Sequence, residues 1–118
     1  MKTLLVPVMA LLLSAPALAD DQLFSSICGY VKDDNRNQLR KTLTDNKLNV
    51  RKIYDSLKCD NDNLLQFAIR SDAYESGTFI IKQMPAKTLA EFDYDSWANS
   101  NGFSASPLVN EIRARIGQ

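Results

Sequence analysis

The 118-residue chain contains no histidine, two cysteines and four scattered glycines, and its 14 lysines and arginines are balanced by 14 aspartates and glutamates. Without histidine there is no Ser-His-Asp or Cys-His arrangement, and the commonest metal ligand is missing. A zinc site would need more cysteine or histidine than is present. The balanced charge lacks the basic excess with which nucleic-acid binders neutralise phosphates. Glycines at 29, 77, 102 and 117 form no phosphate-cradling loop. The sequence therefore points to no catalytic residues, no metal, no cofactor and no nucleic acid.

The longest apolar run is short. Leu4 to Leu13 follows Lys2 and leads through Ser14-Ala15-Pro16 to the small-x-small triplet Ala17-Leu18-Ala19. A membrane span needs roughly twenty apolar residues, so residues 1–19 read as a signal peptide cleaved near Ala19. The first cysteine lies too far beyond Ala19 for a lipid-anchored start. The expected location is periplasmic or secreted. Residues 20–118 then form a single helical domain with one negative charge in excess, since cleavage removes Lys2 and no acid. In an oxidising compartment a lone pair of cysteines is expected to form a structural disulfide. Joining Cys28 to Cys59 closes a loop of 32 residues, worth about 3–4 kcal/mol in chain entropy.

Apolar spacings of three and four predict short helices over Gln22–Lys32 and Arg36–Thr44, a third opened by Asn49 and running through Leu57, and another from Leu64 to Ile69. Asp72 with Glu75 resembles a capping box opening a helix through Phe79, Ile80 and Ile81, which Pro85 stops. Beyond Pro85, Leu89 to Trp97 mixes aromatics with acids and 98–104 is polar. Ser106-Pro107 opens a last helix striped by Leu108, Val109, Ile112 and Ile116, read as a cap over one end of the stack. The fold class is all-α, built of short helical hairpins with a C-terminal capping helix in 86–118.

Asn63 to Ile81 resembles the two-helix body of an ankyrin repeat. Leu65, Phe67 and Ala68 fall at that family's Leu and small Ala, and Phe79-Ile80-Ile81 at its run of leucines. Ala68 and Gly77 would let the helices approach their neighbours. A weaker echo places Ile27 and Cys28 where Phe67 and Ala68 stand, forty residues upstream. There is no T-P-L-H, and the link from Leu48 to Asn63 reads as helical rather than hairpin-like.

Ile27-Cys28, Leu39-Arg40-Lys41, Leu48, Arg51 to Asp55, Lys58-Cys59 and Leu64 to Ala68 resemble a family of small exported proteins of Gram-negative bacteria, domain of unknown function 3718. The resemblance spans residues 27–85. Where that family has Cys-Asn-Gly, this chain has Cys59-Asp60-Asn61. The family implies compartment and fold, and no mechanism.

Segment 36–58 carries seven cations and two acids, a local excess of five positive charges. Arg40, Lys41, Arg51 and Lys52 are the candidate binding surface, suited to an acidic protein or to anionic lipid or polysaccharide. Asp60-Asn61-Asp62-Asn63 starts like a calcium loop, but Leu64 breaks the alternation and Ser71 stands where the closing Glu belongs. The expected function is a non-catalytic module that binds an envelope protein; a lipid or polysaccharide binder is the alternative. An enzyme using a reactive thiol or paired acids such as Asp93/Asp95 is a weaker third.

Overall fold

Asn35, Asn49, Asn63, Asp93 and Ser106 each stand just before a helix and accept a backbone N–H of its first turn through the side chain. Such caps satisfy amide donors that a helix start leaves unpaired. Asn63 does so reciprocally, because the Gln66 side chain accepts from the Asn63 amide in return, completing a capping box.

The computed structural model describes residues 21–117, so the expected leader lies outside the described residues. Within them the helices are α1 (21–32), α2 (Arg36–Asp45), α3 (Val50–Ile53), α4 (Leu64–Arg70), α5 (Tyr74–Gln83), α6 (Ala86–Ala90), α7 (Tyr94–Asn101) and α8 (Pro107–Ile116). The class is all-α. Among the described residues the only β-type pairing is an isolated bridge between Cys59 and Asp62, and no helix is long and apolar enough to cross a membrane.

Three helix pairs, α1/α2, α4/α5 and α7/α8, are joined by the short helices α3 and α6. Helix α5 lies at the centre, in contact with α4, α2, α3 and α8, while α8 also packs on α6 and α7. The core is continuous. Ile27 and Val31 of α1, Leu39 of α2, Leu65 and Ala68 of α4, Ile80 of α5, and Leu108 and Val109 of α8 are all buried.

The turns after α1 and α4 are built alike. The amides of Asp33, Asp34 and Asn35 donate to the carbonyls of Gly29, Val31 and Tyr30; those of Ser71, Asp72 and Ala73 donate to Phe67, Ile69 and Ala68. Asp34 and Asp72 both take the left-handed conformation, each at φ 53°. The two ten-residue helices that follow keep the same register, Arg36 matching Tyr74. The internal repeat is thus 38 residues rather than forty, and Tyr30, not Cys28, matches Ala68. Helix α4 buries Leu64, Leu65, Phe67, Ala68 and Ile69, so an alignment of apolar residues onto it succeeds in more than one register. Hydrogen-bonded turns tolerate no slip.

Several expectations need correction. Asp72 does not cap α5: its N-cap position is Ala73, without a side-chain bond. The cap comes from the preceding pair, where the Asp34 carboxylate accepts from the amides of Ser76 (2.7 Å) and Glu75 (3.3 Å). Asp34→Ala is therefore expected to cost about 1 kcal/mol, read as a lower thermal midpoint, although Asp34 lies outside the helix it stabilises. The helix opened by Asn49 ends at Ile53, and Leu57 is reached by a turn. Residues 89–104, read as mixed and polar, fall in large part within α6 and α7. Their starts depend on Pro85 and Asp93, and their weak stripes gain stability by burying Leu89, Tyr94 and Ala98.

Gly77 and Gly29 differ sharply. A Cβ on Gly77 would meet both Leu108 methyl carbons at 2.6 Å, so α8 sits on α5 at the distance glycine sets. A Cβ on Gly29 would meet nothing within 4 Å. Gly29→Ala is expected to raise stability by about 0.5–1 kcal/mol, the usual gain of removing a helical glycine, measured as a higher denaturant midpoint.

Candidate functional site

Arg36 and Arg40 stand one turn apart on α2, along the edge of its buried stripe of Leu39 and Leu43. On α5, Glu75, Phe79 and Lys82 follow at spacings of four and three, on the face opposite the buried Gly77 and Ile81. Two adjoining hollows lie between these faces, of about 280 and 250 Å³, and share Arg40, Phe79 and Gln83. The first also takes in Arg36 and Lys82; the second reaches Leu48, Asn49 and Val50 where α3 begins. Arg36 and Glu75 pair at 3.4 Å, leaving the charges of Arg40 and Lys82 in excess around the partly buried ring of Phe79.

The structure thus brings one of the four candidate cations, Arg40, into a concave surface. Lys41 turns to Asp45 on its own helix at 2.6 Å, and that carboxylate holds its ammonium above the ordinary lysine range. Arg51 and Lys52 are exposed on α3 and line neither hollow. Lys82 was invisible to a search along 36–58, because it enters from the next helix pair. The i, i+7 spacing of Glu75 and Lys82 on α5 was the available signal, and only the packing of α5 on α2 gives it meaning.

The other residues considered for chemistry hold the fold. Cys28 and Cys59 are joined in a disulfide, with Cα atoms 5.7 Å apart. Asp62 pairs with Arg70 at 2.7 Å and belongs to the turn closed by Cys59. Arg70 in turn lies over the rings of Trp97 and Phe103, at 5.2 and 5.7 Å from their centres, so one guanidinium ties the disulfide turn to the third helix pair. Asp93 caps α7, and hydrogen bonds from Ser96 lower its carboxyl below the usual range. Asp95 pairs with Arg113 at 2.9 Å.

Sequence reasoning missed one buried polar contact. The hydroxyls of Tyr54 and Tyr94 meet at 2.5 Å, and the Asn63 amide nitrogen reaches Tyr94 at 3.4 Å. Burial raises the pKa of both tyrosines; for Tyr54 the neighbouring Tyr94 adds to this and the Leu65 amide partly opposes it. Since the folded values lie above the ordinary 10.0, this contribution to stability is complete below pH 10 and is lost as pH rises beyond it. In an ultraviolet pH titration the two rings are expected to ionise only as the chain unfolds.

Among known proteins, the family model described as "Protein of unknown function (DUF3718)" matches residues 27–91, more than half of the chain. The match runs past the expected boundary at 85 to the end of α6. No curated protein and no solved structure matches, and the ankyrin resemblance gains no support from these comparisons.

Proposed function

From the premise that the chain belongs to the DUF3718 family, we propose that it is a non-catalytic protein-interaction module of the bacterial envelope that grips an acidic segment of a partner protein. The observation that carries this is the α2–α5 groove: Arg40 and Lys82 in charge excess around Phe79, on a scaffold of stacked helix pairs. Stacked helix pairs present extended surfaces suited to recognition, and oppositely charged surfaces steer encounter and fix register. The leader-like residues 1–19 support a periplasmic or secreted location.

The test is crosslinking and affinity capture of tagged protein from intact cells, with wild type beside Arg40→Glu/Lys82→Glu. A partner enriched by wild type and lost at least tenfold with the double variant, which remains folded by circular dichroism, supports the reading. Equal capture by both overturns it.

A second reading is binding of anionic lipid or polysaccharide through segment 36–58. It draws on Arg40, Lys47, Arg51, Lys52 and Lys58, which make no ion pair among the described residues. Sedimentation with anionic liposomes at low salt decides it. Binding that Arg51→Glu/Lys52→Glu abolishes favours the lipid reading, and protein left in the supernatant removes it.

A further inference from the structure

A separate hollow of about 490 Å³ runs beside the disulfide, within the roughly 300–1,000 Å³ typical of small-molecule sites. One wall is α1, whose Asp21, Ser25, Gly29 and Lys32 fall on a single stripe. At 1.5 Å per residue that stripe extends for about 16 Å. Phe24, Phe67 and the Cys28–Cys59 bridge supply apolar surface, and Lys32 and Lys58 supply positive charge.

Gly29 is the unexpected residue. It lies inside a helix, outside the left-handed region, and no protein atom would touch a Cβ placed on it. Glycine weakens a helix unless something needs the room. Gly77 is accounted for by Leu108; nothing in the fold accounts for Gly29. What a side chain there would occupy is the hollow itself.

We propose that this hollow binds a single-chain fatty carboxylate. The alkyl chain lies along α1 over Gly29, against Phe24, Phe67 and the disulfide, and the carboxylate is held by Lys32 and Lys58. Neither lysine has an ion-pair partner among the described residues. Asp60 also lines the hollow and offsets one of the two cations, which suits a monoanionic head over a multiply charged one. Asp21 stands at the far end of the stripe from Lys32, away from the head. None of these residues belongs to the α2–α5 groove, so the proposal stands or falls independently of the acidic-partner reading.

Calorimetric titration of the purified exported protein with decanoate tests it. Saturable one-to-one binding is expected, at least tenfold weaker in Gly29→Leu, which fills the hollow, and in Lys32→Glu/Lys58→Glu. Decyltrimethylammonium, with the opposite head charge, is expected to bind at least tenfold more weakly than decanoate. Gly29→Leu keeps or raises the thermal midpoint, so lost binding there is not lost folding. Absence of saturable decanoate binding in the wild type overturns the proposal. So does undiminished binding to Gly29→Leu, or equal affinity for the two head groups.

Discussion

Replacing Cys28 and Cys59 together by serine lowers the unfolding free energy by about 3–4 kcal/mol, the entropy released when a loop of this length is opened. That is a large share of the roughly 5–15 kcal/mol of a typical domain. The bridge joins residues 31 apart and holds α1 against the turn before α4. Through that turn it positions Asp62 for Arg70, and through Arg70 the Trp97–Phe103 stack. Urea unfolding checks the prediction. The midpoint falls, and the slope rises because an uncrosslinked chain exposes more surface when it unfolds. An unchanged midpoint would overturn the prediction.

Gly77→Val is expected to destabilise by about 3 kcal/mol, at the upper end of the usual cost of overpacking. The new Cβ would lie 2.6 Å from both Leu108 methyls, and Leu108 is itself buried, at 1% exposure. The strain falls on the contact between α5 and α8 that attaches the third helix pair. A double variant with Leu108→Ala separates this cause from helix propensity: it recovers part of the loss, giving a favourable coupling between the two sites. Gly29 is also helical, yet alanine there is expected to stabilise.

Helix periodicity was legible because it is local. Spacings of three and four place α1, α2, α4 and the apolar stripe of α8 close to where the structure has them. The asparagine and serine caps act within three residues of themselves. Helices α6 and α7 were not legible, since their stripes are weak and burial by neighbours supplies the stability. The capping of α5 was assigned to the wrong aspartate for a related reason: Asp72 has the right spacing, whereas Asp34, 42 residues before Ser76, has the right position in space.

The same division governs the candidate sites. Composition placed positive charge in segment 36–58, but Arg40 meets Lys82 and Phe79 only because α2 lies against α5. What the amino-acid order alone determined is the all-α class, most helix starts and the cysteine pair available for bridging, because each depends on near neighbours or on simple counts. What the tertiary structure alone decided is the 38-residue register, the Tyr54–Tyr94 contact, the opposite roles of the two helical glycines and the membership of the three hollows. Those depend on distances between residues far apart in the chain, and linear spacing does not encode such distances.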